Sequence, residues 1–194
     1  MVRTIHDAAQ AGHTDEVIRY ITQGSRLNEK DALGRTPLMA AVHGNKIDTA
    51  RMLVDAGADI NLQDARLDNM LLYASAEGMY DMVELAIAGG ADTRLTNRFG
   101  GTALIPAADR GHVDIVELLL TRSDVNVNHI NNLGWTALLE AVILGDGGLR
   151  HQQIVALLMK YDADPKIADR DGITPLEHAR QHQYADMERL LTQV

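Results

Sequence analysis

Apolar residues recur along the chain at spacings that predict pairs of short helices. Leu38 and Ala41 lie three residues apart, and Ala50 and Val54 follow four apart in the next segment. Because residues three or four apart share one face of an α-helix, each segment presents an apolar stripe to a neighbour. Gly57 comes next, and glycine commonly ends a helix in the left-handed conformation. The pattern predicts two helices in this segment with a break after them.

Polar residues mark where these helices begin. The Thr36 side chain can cap the first helix, and Pro37 suits its first position, where no amide donor is needed. The second helix is expected to open near an aspartate, because a carboxylate in the first turn complements the helix dipole and the free amides. A row of acids is also compatible with a cation site, but capping is the simpler interpretation. The acids in question are Asp15, Asp48, Asp81, Asp114 and Asp186.

The same pattern recurs six times along the chain. Thr36-Pro37-Leu38 has counterparts that start at positions 3, 69, 102, 136 and 174. The steps between the six starts are 33, 33, 33, 34 and 38 residues. A fixed period in this range is typical of repeat proteins, in which each repeat is one structural unit stacked on its neighbours.

The repeated sequence resembles the ankyrin repeat family. Residues 31–41, DALGRTPLMAA, are close to the family pattern D-x-x-G-x-T-P-L-H-x-A, and residues 111–120, GHVDIVELLL, are close to its second half. The resemblance implies an all-α fold, an ankyrin-repeat solenoid of about six β-turn/helix/helix units. It covers residues 1–194 as a single domain. The repeats implied are 1–30, 31–63, 64–96, 97–130, 131–168 and 169–194.

Three departures from the family pattern carry structural expectations. Leu67 stands where the third repeat should have a glycine, and we expect an irregular turn there. Asp162 replaces the glycine that ends the last helix of the fifth repeat, and aspartate tolerates the left-handed state better than most residues. Five extra residues fall within 145–152, and Ser123 interrupts the end of the fourth repeat. We therefore expect the joint between the fourth and fifth repeats to be weak.

Composition and charge exclude several classes of function. The chain carries a formal net charge of -9, which disfavours nucleic acid and anionic membrane as partners. It contains no cysteine, and it shows no secretory signal and no apolar run near the roughly 20 residues that span a bilayer. These features favour a cytoplasmic protein.

Motifs for catalysis or cofactor binding are absent from the sequence. There is no HExxH, GxSxG or GxxxxGK pattern, so we expect no enzyme activity, no cofactor and no small-molecule substrate. The best metal candidate is Glu177 with His178 and His182, since the two histidines lie four apart on one helix face. A solvated capping helix is the better interpretation of these residues.

The resemblance also indicates where a partner would bind. Ankyrin repeat partners usually contact the turns and the exposed side of the first helices, which line a concave groove. Two features occupy those positions here: an apolar group containing the only Trp and the only Phe, and a line of arginines that suits an acidic partner segment. The predicted partner-binding residues are Arg66, Arg98, Phe99, Arg110, Leu133, Trp135, Ile143 and Leu144.

The sequence thus predicts a non-catalytic protein–protein interaction module or scaffold that binds another protein as a monomer, in the groove of its third to fifth repeats. Two alternatives stay open at this point. One is a self-associating structural protein that uses the same apolar group. The other is a metal-binding or enzymatic protein that uses Glu177, His178 and His182.

Overall fold

The computed structural model describes residues 4–192. Within this range the chain forms twelve α-helices and no strand, which confirms the predicted all-α class. Each repeat contributes two helices, as the apolar pattern indicates. The helices are α1 (Ile5–Ala11), α2 (Thr14–Thr22), α3 (Pro37–His43), α4 (Ile47–Asp55), α5 (Met70–Ala76), α6 (Tyr80–Ala88), α7 (Leu104–Asp109), α8 (Val113–Arg122), α9 (Ala137–Ile143), α10 (Leu149–Lys160), α11 (Pro175–Gln181) and α12 (Ala185–Thr192).

Threonine caps open four of the first helices: α1, α3, α9 and α11. The Thr36 hydroxyl accepts a hydrogen bond from the Met39 amide at 3.2 Å, and Pro37 occupies the first helical position, as predicted. The Thr136 hydroxyl accepts from the Leu139 amide at the same distance. These bonds satisfy backbone donors that have no partner inside the helix.

Helix α7 begins later because of a proline. Pro106 has no N–H to donate to the Thr102 carbonyl, so the Ile105 amide donates to that carbonyl instead, at 3.1 Å. The regular helix starts at Leu104, and the buried Thr102 hydroxyl has no hydrogen-bond partner among the described residues. The fourth repeat therefore lacks the threonine cap that opens α3 and α9.

The second helices begin and end as the sequence predicts. Gly57 follows α4 with φ 89°, and Asp162 follows α10 with φ 64°, so both adopt the left-handed conformation. The predicted position of the acidic row in first helical turns is confirmed for all five aspartates: Asp15, Asp48, Asp81, Asp114 and Asp186.

The chain divides into two compact units. The N-terminal unit contains the residues up to Ala74 together with Met79–Leu95. Within it, α1 packs on α3, while α2 packs on α4 and α4 on α6. The contact between α1 and α3 is close, since a Cβ at Gly44 would come within 2.1 Å of the Gln10 carbonyl oxygen. Alanines fill the inner helices of this unit with no exposed surface: Ala8, Ala9, Ala40 and Ala41.

The C-terminal unit contains Ser75–Gly78 and the residues from Thr96 onward. Its first helices form one layer, in which α7 packs on α9 and α9 on α11. Its second helices form another, in which α8 packs on α10 and α10 on α12. The layers meet through buried apolar residues, among them Leu104, Ile115, Leu119, Leu138 and Ile154.

Five turn tips precede the first helices of repeats two to six, and all follow one plan. We call a turn tip the five residues that start at an Asp or Asn and end just before the Thr or Asn that precedes the helix. In each tip the first side chain accepts hydrogen bonds from the amides of the third and fifth residues. The tips are residues 31–35, 64–68, 97–101, 131–135 and 169–173.

The third repeat keeps this plan despite Leu67, so the expectation of an irregular turn is wrong. Asp64 Oδ1 accepts from the Arg66 amide at 2.8 Å and from the Asp68 amide at 3.0 Å, as in the other tips. Leu67 takes the place of glycine with φ 61°, a conformation that costs a residue with a Cβ about 1–2 kcal/mol. The aspartate's hydrogen bonds outweigh this local preference.

The inserted segment 145–152 forms hydrogen bonds to both neighbouring repeats, and a weak joint between the fourth and fifth repeats stays a prediction. His151 Nε2 is 3.0 Å from the Asp109 carbonyl oxygen in the fourth repeat. On the other side, the Tyr184 hydroxyl in the sixth repeat donates to the Gly145 carbonyl at 3.1 Å. Within the insertion, Asp146 accepts from the Gly148 amide at 2.8 Å. The extra residues therefore add hydrogen bonds between repeats.

Candidate functional site

Two turn tips carry four of the eight predicted partner-binding residues: Arg98, Phe99, Leu133 and Trp135. Asn97 Oδ1 accepts from the amides of Phe99 and Gly101, at 2.9 and 3.1 Å. Asn131 Oδ1 accepts from the amides of Leu133 and Trp135, at 2.9 and 3.0 Å. Because one side chain satisfies two backbone donors, each tip is fixed without help from a partner.

The two tips are joined directly. The Asn132 amide donates to the Phe99 carbonyl at 2.9 Å. A Cβ on Gly100, whose φ is 73°, would come within 2.4 Å of the Asn132 side chain, so only glycine fits between the tips. Phe99 is 52% exposed and Leu133 is 49% exposed. We call Phe99, Leu133 and the half-buried Trp135 the tip cluster.

The structure separates Ile143 and Leu144 from this cluster. Ile143 is the last residue of α9 and is half-buried, and Leu144, which caps the helix, is 51% exposed. Trp135 precedes the cap residue of α9, and the seven residues of that helix span about 10 Å at 1.5 Å per residue. We call Ile143 and Leu144 the helix-end pair. The apolar group that the sequence predicts is thus two groups, one at each end of α9.

Most of the predicted line of arginines is engaged within the chain. Arg110 forms an ion pair with Glu77 at 2.6 Å and also donates to the Ala76 carbonyl. The Arg98 guanidinium lies 4.5 Å from the centre of the Phe99 ring. Arg66 is exposed in the tip 64–68 of the N-terminal unit. The other two arginines of the line are also held locally, Arg35 by Asp31 and Arg170 by the Asn132 carbonyl.

Glu140 is a buried acid that the sequence analysis missed. It lies in α9 and is only 7% exposed. Asn131 Nδ2 donates a hydrogen bond to Glu140 Oε1 at 2.7 Å. Among the described residues this is the one hydrogen bond that the carboxyl accepts. The pKa of this carboxyl is raised from 4.5 to about 7, chiefly by burial and also by the negative charge of Asp109, while the Asn131 hydrogen bond opposes the rise.

Asp109 is a second acid on the neighbouring helix. It ends α7, which packs on α9. Burial raises its pKa above the usual value, while the charges of Arg110 and His151 act in the opposite direction. Neither Asp109 nor Glu140 forms an ion pair with any residue among 4–192. The surface between the tip cluster and the helix-end pair therefore carries two acids that form no ion pair among residues 4–192, although the charge of Arg110 favours ionised Asp109.

The sixth repeat shows that Glu140 occupies a recurring position. Glu140 follows its cap threonine by four residues and bonds to the first residue of its own tip, nine residues earlier. His178 has the same two relationships and lies 2.7 Å from Asp169 Oδ2. A signal for this pair was present in the sequence, since an alignment of the copies places Glu140 opposite small or apolar residues: Ala8, Ala40 and Pro106.

Two of the three side chains in the candidate metal site of the last repeat make other contacts within the chain. Glu177 accepts hydrogen bonds from the Thr174 amide and hydroxyl, which completes a capping box. His178 is held by Asp169, and His182 is exposed just after α11. Over the described range, no three acidic or histidine side chains come together in a way that could hold a metal ion.

Length and polarity also distinguish the helices from membrane spans. None of the helices among residues 4–192 has both the length and the apolar character that crossing a membrane requires.

Comparison with known proteins places the chain in a family. Residues 3–64 and 71–169 match the family model for ankyrin repeats (3 copies), which is more than half of the chain. The protein belongs to the ankyrin repeat family, as its repeated motif and helix pairs indicate. Repeats of this family generally act as protein–protein interaction modules and are typically non-enzymatic.

Individual relatives agree with this assignment. The crystal structure of an ankyrin repeat domain from Acinetobacter baumannii AYE superposes with a TM-score of 0.94 at 50% identity, and covers 96% of this chain and 95% of that one. The crystal structure of the ankyrin repeat protein EF0377 gives 0.93 at 40% identity, with coverages of 97% and 96%. YahD of Escherichia coli (strain K12), named as an ankyrin repeat protein, is 47% identical over 73 residues, a match that spans 38% of this chain and 36% of YahD.

Proposed function

We propose that this protein is a non-catalytic interaction module that binds another protein on the C-terminal unit, through the tip cluster. The observation that carries the proposal is the exposure of Phe99 and Leu133 on two tips joined by a hydrogen bond. Apolar side chains grouped at a surface commonly mark interfaces. Cytoplasmic location stays a prediction from the sequence.

The rigidity of the tips favours binding. Each tip is already fixed by its asparagine, so a partner would order few additional groups on contact. Ordering a mobile side chain or loop at an interface costs about 0.5–1.5 kcal/mol per side chain, and a preorganised surface avoids that cost. Tryptophan is also one of the residues on which binding energy concentrates, which supports Trp135 as part of the cluster.

Structural use of the polar side chains supports a non-catalytic role. His178 and His151 make contacts with the chain itself, to Asp169 and to the Asp109 carbonyl. Glu177 caps α11. A catalytic site needs convergent groups poised to act on a substrate, and these residues stabilise turns and helix ends instead.

Affinity capture with matched variants tests the proposal. The immobilised wild-type chain would be compared with a Phe99→Ala, Leu133→Ala double variant and with Leu149→Ala, a control at a residue that is 77% exposed on α10. We expect a specific protein to be retained by the wild type and the control but lost from the double variant. Equal retention on all three surfaces would show that the tip cluster is not the interface.

Light scattering separates this proposal from self-association. If the tip cluster binds a second copy of the chain, the mass of the wild type rises with concentration and that of the double variant does not. We expect a constant monomer mass for both proteins. A concentration-dependent mass that the double variant abolishes would make self-association the function of this surface.

A further inference from the structure

The surface between the tip cluster and the helix-end pair combines apolar side chains with two acids that form no ion pair among the described residues. Glu140, Ile143 and Leu144 are spaced at i, i+3 and i+4, so they share one face of α9. On the other side of Glu140, the Asn131 side chain links its carboxyl to the amide of Trp135. The acid thus lies between the two apolar groups.

Glu140 lacks the partner that a buried carboxylate needs. It is 7% exposed, and only its Oε1 accepts a hydrogen bond from the residues that the structure describes. Asp109 on the adjacent helix adds a second negative charge rather than a cation. Removing a carboxylate from water is costly unless an opposite charge or several donors meet it, so a cation placed beside Glu140 would stabilise its charged form.

The basic side chains nearby have other partners. Arg110 pairs with Glu77, and His151 contacts Asp146 and the Asp109 carbonyl. On α11, which also packs on α9, His178 pairs with Asp169. The remaining charged groups of α11 are Glu177, held by Thr174, and Arg180, paired with Glu188.

We propose that the partner is a protein segment that places a lysine or arginine against Glu140 and Asp109, with large apolar residues beside it on the tip cluster and the helix-end pair. The inference rests on the proposed function and names the chemistry of the partner. A basic side chain would supply the missing counter-charge, and its aliphatic stem would pack on apolar neighbours.

This partner is opposite in charge to the one that the line of arginines suggests. Four of those five arginines are engaged within the chain, three of them with an acid or a carbonyl oxygen and Arg98 over the Phe99 ring, whereas the two acids have no ion-pair partner among residues 4–192. Charge complementarity therefore favours a basic segment over an acidic one.

Selection from a random peptide library tests the proposal without knowledge of the natural partner. The library would be panned at pH 8 on the intact wild type, on Glu140→Gln and on a matched control, Glu117→Gln, which changes an exposed acid on α8. Peptides recovered on the wild type and the control should carry lysine or arginine next to large apolar residues. On Glu140→Gln the apolar preference should remain and the basic preference should disappear.

The outcomes distinguish failure of this proposal from failure of the proposed function. Apolar peptides without a basic preference, or a basic preference that Glu140→Gln leaves intact, would overturn the basic segment and leave the tip cluster standing. Acidic peptides would also overturn it. Recovery of no peptide above background on the wild type would count against both.

The affinity of a recovered peptide should also depend on pH. Since the pKa of Glu140 lies near 7 in the free protein, binding of a cation at lower pH must first release a proton. Affinity should therefore rise about 30-fold between pH 5.5 and pH 8 for the wild type, and much less for Glu140→Gln. An equal pH dependence in the two proteins would contradict the proposal.

Discussion

The Asn131 side chain donates a hydrogen bond to the buried Glu140 carboxyl, with 2.7 Å between Nδ2 and Oε1. The oxygen of the same amide holds the backbone of Leu133 and Trp135. One side chain thus connects a carboxyl in the helix layer to the turn tip that carries two residues of the tip cluster.

Glu140 should make the free energy of unfolding depend on pH. The folded state holds the Glu140 proton more tightly than the unfolded chain, because the pKa is raised from 4.5 to about 7. The stability that protonated Glu140 contributes to the fold is fully present below pH 4.5. It is lost as pH rises through 7, a loss of about 3 kcal/mol. Denaturant unfolding at pH 5 and pH 8 should show that Glu140→Gln exceeds the wild type in stability at pH 8 and loses most of that advantage at pH 5. Glu117→Gln serves as the control, and a stability difference independent of pH would contradict the account.

Replacing Leu67 by glycine should stabilise the protein. Its left-handed conformation costs about 1–2 kcal/mol, and its side chain is 49% exposed, so little burial is lost on replacement. After the greater flexibility of glycine in the unfolded chain is subtracted, Leu67→Gly should gain about 0.5 kcal/mol in denaturant unfolding. Leu33→Gly, at an exposed leucine without a positive φ, should lose stability. A similar loss from both changes would show that Leu67 is not strained.

Local chemistry explains which parts of the fold could be predicted from sequence. The Thr36 cap, Pro37 at the helix start and the left-handed Gly57 and Asp162 each depend on residues a few positions away, and the structure confirms them. The expectation of an irregular turn at Leu67 is wrong because it relies on the glycine that Leu67 replaces, which is a strong local signal for this turn. The hydrogen bonds of Asp64, which are equally local, preserve the turn nevertheless.

The site was harder to predict because its properties arise between repeats. The burial of Glu140 depends on α7 and α11 packing on either side of α9, and its pKa depends on Asp109 in another repeat. The positions of Phe99, Leu133 and Trp135 at turn tips followed from the repeat register. Their separation from Ile143 and Leu144 follows from the length of α9, which the register alone did not address.

His151 should stabilise the inserted segment. Its two ring nitrogens each lie 3.0 Å from an oxygen, one the Asp109 carbonyl and the other Asp146. Because a neutral imidazole donates to one of these oxygens, and loss of a hydrogen bond typically costs about 0.5–1.5 kcal/mol, His151→Ala should lower stability and speed hydrogen exchange of amides in 145–152. Gln153→Ala, an exposed change on the same helix, should do neither. Unchanged exchange in His151→Ala would mean that these contacts do not anchor the segment.

Metal removal should leave the fold unaffected. Glu177 and His178 are already bound to Thr174 and Asp169. A structural metal typically contributes about 10 kcal/mol or more to folding, so its removal would be conspicuous. The melting temperature measured with and without a chelator should agree, and a drop of many degrees would revive the metal-binding alternative.

The most direct test of the central claim is the dissociation constant of the captured partner for wild type and for Trp135→Ala, measured alongside the melting temperature of each. Trp135 lies in a turn tip and is only half-buried. We predict that the variant binds about 30-fold more weakly, equivalent to about 2 kcal/mol, while its melting temperature falls by only a few degrees. A variant that melts many degrees lower but binds with wild-type affinity while folded would show that Trp135 is a packing residue, and that the tip cluster does not carry the binding.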